Sequence, residues 1–227
     1  MVKASDTGGA DFTPAPQGTH VARCVQHIDM GTQYSEYYKK SSHKLLLGWE
    51  LPNCLQDNDE PYIVWKRYTV SLHENSWLRK HLEAWRGRGF TEEELQAFEV
   101  STVLDKPCLI SVAHEKRDGR TYANVSAVMA LAKGQTVPER MNNIVDFDFE
   151  RFEETKGILE TFSDKLREQI ESTTEYKQAT GYSELMEEPA DDSAPEDDDI
   201  PFLWLLPWGT LMYPILRTVT NEMQTML

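Results

Sequence analysis

Between Pro61 and Trp85 the sequence changes its period, and that change constrains the fold more than any other feature. Over residues 61–72, Tyr62, Ile63, Val64, Trp65, Tyr68 and Val70 make a run dense in β-branched and aromatic side chains, the composition of a strand. From Trp77 onward the pattern becomes helical: Trp77, Leu78, His81, Leu82 and Trp85 recur at spacings of three and four, and Gly87 with Gly89 ends the run.

The rest of the body extends this pattern. Residues 18–29, with Val21, Cys24, Val25 and Ile28, predict a first strand, and residues 44–51, with Trp49, a second. Thr91 and Glu94 have capping-box spacing for a short helix reaching Phe98. Residues 107–116 and 120–129 predict two strands joined by Asp118 and Gly119, a dipeptide that tight hairpin turns prefer. Beyond Asp146, Phe152, Ile158, Leu159, Phe162, Leu166 and Ile170 predict one amphipathic helix over residues 149–176, packing on the body or pairing with another subunit. Three strands, a helical insert and two more strands is the chain order of the OB-fold, a small barrel that commonly binds oligonucleotides. The expected fold is therefore mainly β with helical additions (α+β). It is a five-stranded OB-like barrel with a helical insert between strands three and four, a C-terminal helix and a disordered acidic tail.

The net charge of -15 opposes nucleic-acid binding until it is located. Residues 1–143 hold 17 Lys and Arg against 18 Asp and Glu, while residues 144–199 hold 5 against 19. The acidity belongs to the C-terminal third, and a near-neutral body can present a basic groove, because binding follows local charge. The expected organisation is a flexible arm over residues 1–17, a binding domain over 18–143, the helix over 144–180, an acidic interaction tail over 181–202 and a hydrophobic extension over 203–227. Pro207, Gly209 and Pro214 interrupt that extension, so no stable membrane span is expected. Cys24, Cys54 and Cys108 form no CxxC pair and are odd in number, which argues against a disulfide framework or a zinc ribbon. With no basic-then-apolar leader, a reducing cytoplasm is the expected compartment.

Residues 187–196 carry dense negative charge and two prolines, and they end on Asp197, Asp198, Asp199, Ile200, Pro201 and Phe202. Two apolar anchors beside a carboxylate cluster suit a greasy pocket rimmed by Lys or Arg. This hexapeptide resembles, residue for residue, the acidic tip of bacterial single-stranded DNA-binding proteins. The segments Gly48-Trp49-Glu50-Leu51-Pro52 and Leu82-Glu83-Ala84-Trp85-Arg86-Gly87-Arg88-Gly89-Phe90-Thr91 are similar to pieces of phage-encoded single-stranded DNA-binding proteins. The resemblance implies a role in phage DNA replication, recombination or repair inside an infected bacterial host, with the tip recruiting replication or recombination proteins. In the bacterial family the Phe is the last residue, whereas here the chain continues past Phe202.

Binding single strands needs cations that follow phosphates and flat rings on which unpaired bases stack. Tyr34, Tyr37 and Tyr38 lead into Lys39, Lys40 and Lys44, in the expected loop between the first two strands, where OB-folds often grip their ligand. In the third strand Trp65 and Arg67 share a face opposite Val64, Tyr68, Val70 and Leu72, and that first face is assigned to the groove, although Trp65 suits a core equally well. Arg117 and Arg120 flank the hairpin turn and Tyr122 follows, a second basic and aromatic group. Trp49, Trp77 and Trp85 are assigned to the core.

Signals for catalysis are few. The six histidines are scattered outside HExxH or zinc-ligand spacing, and no nucleophile elbow, Walker loop or dinucleotide glycine pattern occurs. Asp146, Asp148 and Glu150 alternate as in a two-metal nuclease, or as in an edge strand with one wet face. The expectation is a non-enzymatic protein that coats single-stranded DNA without sequence preference and needs neither metal nor cofactor. The alternatives are a protein-interaction adaptor and, more remotely, a metal-dependent nuclease.

Overall fold

The computed structural model describes residues 13–181, apart from Tyr38 and Asp118. Most of the expected arm, Tyr38, the acidic tail with its tip, and the hydrophobic extension lie outside the described residues. Chain order runs β1 (Gly18–Ser35), β2 (Lys40–Leu55), β3 (Pro61–Thr69), α1 (Trp77–Arg86), α2 (Glu92–Gln96), β4 (Pro107–Arg117), β5 (Arg120–Met129), β6 (Val145–Phe147), α3 (Phe152–Thr155), α4 (Asp164–Glu171) and α5 (Thr174–Ala179), with short 3-10 turns between. The fold is mainly β with several helices, as expected.

The strands form one sheet in the order β3-β2-β1-β4-β5, antiparallel throughout, and β6 adds to β1 by a three-residue parallel pairing. The expected closed five-stranded barrel is not what the ladders form. The sheet has six strands and stays open between β3 and β5, where the Lys66 ammonium donates to the Val125 carbonyl at 2.6 Å in place of a backbone ladder.

β1 is longer than its apolar run predicts, because its polar second half pairs with β2 as far as Ser35 opposite Lys40. Two register shifts interrupt that pairing, between Cys24 and Gln26 and between Asp29 and Thr32. The first reverses the inside-outside alternation of the strand. Before it, Ala22 and Cys24 face the main core with Leu47, Trp49, Val64, Tyr68, Leu78, Leu82, Ile110 and Val125. After it, Ile28 and Met30 face a second cluster made with Phe147, Phe152, Leu159 and Ile170. One sheet thereby serves two cores.

The second core explains the C-terminal segment. Every apolar position expected on one long helix packs there, yet the helix is divided into α3, α4 and α5 and 3-10 turns. Phe162 and Ser163 are extended, and Thr173, whose hydroxyl accepts from Tyr176 N, starts α5 afresh. Each restart turns the chain so that Phe152, Leu159 and Ile170 all reach the sheet, which a straight rod over a twisted surface would not allow.

Other local expectations are met in detail. Gly87 ends α1 at φ +67, the left-handed region that favours glycine, while Ser76, which the sequence pattern did not single out, caps its start. Thr91 and Glu94 form the reciprocal capping box of α2. Arg117 pairs with Arg120 across the β4–β5 turn, where Gly119 has φ +75. Ala15, within the expected flexible arm, is buried in the main core, and its carbonyl meets His114 Nε2 at 2.8 Å. Trp77 departs from its expected core position and is 63% exposed, because it stands at the first turn of α1, beyond the stripe of Leu78, His81, Leu82 and Trp85 that the sheet covers.

Candidate nucleic-acid interface

The outer face of β2 and β3 is built by strand alternation. β2 is regular from Lys40 to Leu51, so Lys40, Ser42, Lys44, Leu46, Gly48 and Glu50 share one side while Leu45, Leu47, Trp49 and Leu51 fill the core. Registry adds Thr69 opposite Lys44, Arg67 opposite Leu46 and Trp65 opposite Gly48. Four expected site residues, Lys40, Lys44, Trp65 and Arg67, therefore occupy one face.

Gly48 sets the posture of Trp65. A Cβ at Gly48 would lie 2.9 Å from Gln26 Oε1 and 3.0 Å from Trp65 Cδ1, so only a glycine lets the indole and the Gln26 side chain close over the strand. Trp65 Nε1 donates to Gln26 Oε1 at 2.5 Å, and the ring remains 42% exposed. An indole held by its N–H with part of its surface in water is a stacking platform.

The charge on this face is positive. Lys44 Nζ donates to the Thr69 hydroxyl at 2.8 Å, and Arg67 Nη2 to Gln169 Oε1 at 2.8 Å. Both cations meet neutral groups, and among the described residues no carboxylate pairs with either. Burial lowers the pKa of Lys44, and the neighbouring Arg67 charge lowers it further. The carboxylate on this side of β2, Glu50, is fully buried under the loop that precedes β6. It accepts from Met141 N at 2.9 Å, from Asn142 N at 2.7 Å and from Asn142 Nδ2 at 2.7 Å. The Glu50 carboxylate is thus closed to direct contact with an approaching phosphate.

The C-terminal segment supplies a second wall, which the sequence pattern did not reveal. A cleft of about 630 Å³ runs between this face and α4, lined by Gln26, Trp65 and Arg67 on one side and Ser163, Lys165 and Gln169 on the other. Gln26 and Gln169 have no aromatic or cationic character, so only their contacts mark them. Gln169 is doubly engaged, its backbone carbonyl also accepting from Gln33 Nε2 at 2.9 Å.

The two hairpin tips are not brought together. Tyr34, Tyr37 and Lys39 stand at the β1–β2 tip, which continues the C-terminal end of β1, whereas Arg117, Arg120 and Tyr122 extend past its N-terminal end through β4 and β5. The expected loop at 34–40 is thus the closed end of a long hairpin, with Tyr34 in the ladder opposite Ser41. Tyr34 shares that side with His43, opposite Lys40 and Lys44, and is 56% exposed; Tyr37 is 86% exposed. Lys39 pairs with Glu36 at 2.7 Å and Arg117 with Glu115 at 2.8 Å, while Tyr122 is 42% exposed.

Two of the three carboxylates read as a nuclease signal, Asp146 and Asp148, have other partners. Asp146 accepts from His27 Nδ1 at 2.9 Å and from Arg151 at 2.8 Å, and Asp148 accepts from Glu150 N at 2.9 Å, opening the 3-10 turn that follows. The alternation at 146–150 belongs in part to a short strand, β6. Among the described residues no group of three His, Cys, Asp or Glu side chains is arranged to hold a metal ion. The cysteines are free thiols; burial pushes Cys24 up to about 12 and Cys108 well above its usual range. No helix among the described residues is long and apolar enough to cross a membrane. Comparison of the sequence with protein-family models and with curated proteins finds no match.

Proposed function

We propose that the protein binds single-stranded DNA without sequence preference, on an OB-like body whose β3–β5 seam is bridged by Lys66. The observation that carries this reading is the outer face of β2 and β3. In a chain of net charge -15, Lys40, Lys44 and Arg67 stand there with no carboxylate partner among the described residues, around a half-exposed Trp65. Bases stack on Trp65 at the mouth of the cleft, and phosphates meet Lys40, Lys44, Arg67 and Lys165. The hairpin tips with Tyr34, Tyr37, Lys39 and with Arg117, Arg120, Tyr122 extend the contact at its two ends. None of these groups reads base edges, so the binding is indifferent to sequence.

The biological role that follows is non-enzymatic: coating exposed strands during phage replication, recombination or repair in the cytoplasm of the bacterial host. Asp197 to Phe202 recruit replication or recombination proteins, and a second subunit can pair through the C-terminal segment. The test is a tryptophan-fluorescence titration with oligo-dT and with duplex DNA at two salt concentrations. Quenching by the single strand, weakened by salt with a slope for roughly 3 to 6 phosphates, is expected. Equal affinity for duplex rejects the reading, and absence of binding turns it to the protein-interaction adaptor.

A further inference from the structure

A second aromatic and cationic cluster lies across β3 from the face just described. Trp77, the first residue of α1, has Lys66 Nζ at 5.6 Å and Lys80 Nζ at 5.7 Å from its ring centroid. Lys66 follows Trp65 in the strand, so its side chain leaves the opposite face. Its ammonium is half-buried and held by the Val125 carbonyl, and desolvation lowers its pKa. Among the described residues no carboxylate pairs with Lys66 or Lys80. A half-buried ammonium that meets only a carbonyl dipole and a ring leaves positive potential for an anion.

The ring itself is anchored. His81 packs edge-on against Trp77 at 5.5 Å and is fixed in turn by its 2.7 Å hydrogen bond with the Tyr68 hydroxyl. Burial, with help from the Lys66 charge, lowers the His81 pKa to about 4, so at neutral pH the imidazole adds no charge. A fixed, 63% exposed indole beside two ammoniums, one held and one exposed, combines the groups that an unpaired base and its phosphates require.

We propose that Trp77, Lys66 and Lys80 form a second single-strand contact, in which a base stacks on the Trp77 ring and the two ammoniums neutralise the flanking phosphates. This rests on the reading that the Trp65 face binds single strands. Lys66 stays in place, and Lys80, on the exposed side of α1, swings from the ring to the phosphate as the base arrives. β3 is a terminal strand of the sheet, so a nucleic acid lying on Trp65 reaches Trp77 by passing over β3. The contact therefore engages long oligonucleotides and leaves short ones to the first face.

The experiment compares the full chain with Trp77→Ala and Lys80→Ala, using fluorescein-labelled oligo-dT of about 5 and about 16 nucleotides, lengths that bracket the site sizes of single OB-folds. Anisotropy at two salt concentrations gives affinity and slope, and thermal melting checks the fold. Both variants should bind the short oligonucleotide as wild type does. Each should bind the long one roughly ten-fold more weakly, with the salt slope lower by about 1 for Lys80→Ala alone. Unchanged affinity for the long oligonucleotide overturns the second contact and leaves the Trp65 face standing. Equal losses at both lengths place Trp77 in the first contact and also overturn it. No binding by wild type at either length removes both readings.

Discussion

The guanidinium of Arg67 donates to the side-chain carbonyl of Gln169 at 2.8 Å, joining β3 to α4 across 102 residues of sequence. The bond makes the C-terminal segment a wall of the candidate binding cleft. Among the described residues Arg67 has no carboxylate partner, and an amide oxygen neutralises nothing. A phosphate can exchange with Gln169 at little cost, because a hydrogen bond between a cation and a carboxamide gives way to a charge-assisted one.

The cleft should therefore respond differently to its two kinds of residue. Trp65→Ala should weaken oligo-dT binding by roughly 1 to 3 kcal/mol with the salt slope retained, as expected for lost stacking. Lys44→Ala combined with Lys40→Ala should weaken binding and lower the slope by about 2, one for each phosphate contact. Fluorescence or anisotropy titrations across a salt series separate the two effects, and a Trp65→Ala protein that binds as wild type would place the groove elsewhere.

Gly48→Ala probes the posture of the same indole. The added methyl meets Gln26 and Trp65 at 2.9 to 3.0 Å, so one of those side chains must move. Overpacking of this kind typically costs about 1 to 3 kcal/mol, although here part of it relaxes into solvent. A lower melting temperature with weaker DNA binding is expected; unaltered binding would show that Trp65 need not lie against the strand.

Glu50 anchors the loop that seals one end of this face. Glu50→Gln keeps the shape but leaves one accepting oxygen, so its amide NH2 is turned either toward Met141 N or toward the two Asn142 donors, and hydrogen bonds to a charged acceptor are each worth about 1.5 to 3 kcal/mol. The variant should lose at least about 2 kcal/mol in denaturant unfolding, and amide exchange at residues 141 and 142 should accelerate. A midpoint equal to wild type would mean that the loop holds without this carboxylate.

Two histidines give opposite pH limbs. The His43 pKa is raised from its ordinary value of 6.5, chiefly by its hydrogen bond with Asp29 and then by the charges of Asp29, Glu175 and Asp148, against a desolvation that lowers it. A raised folded-state pKa contributes stability that is complete below 6.5 and disappears as pH rises through the folded value. The melting-temperature difference between wild type and His43→Gln should thus be largest in mildly acidic buffer and shrink toward alkaline pH. His81 behaves oppositely: burial lowers its pKa to about 4, so its contribution is present above 6.5 and is lost as pH falls toward 4. A His43 difference that grows with pH would contradict the ion pair with Asp29 and Glu175.

Much of the architecture is local and was therefore legible in the chain. Periods of two and of three to four marked five strands and the first two helices, the capping box at Thr91 and Glu94 set the start of α2, and Asp118-Gly119 marked the β4–β5 turn. The same alternation put Trp65 and Arg67 on the face opposite Val64 and Tyr68, because successive side chains in a strand must point to opposite sides. Phe152, Leu159 and Ile170 read as one apolar face whose burial, on the body or against another subunit, the spacing leaves open, and they fill the second core because their apolar character is independent of the backbone that carries them. Tertiary structure decided the rest. An extra residue near Val25 reversed the alternation of β1 and created a second core, and no pattern within β1 signals it, since a bulge is a mismatch between two strands. That second core then broke the expected long helix, which had to follow the twisted surface of the sheet. Tertiary packing also brought Gln169 to Arg67, left Trp77 outside the stripe that the sheet covers, and set the two hairpin tips at opposite ends of β1. Each of these depends on which distant segment lies alongside, a quantity that residue spacing does not contain.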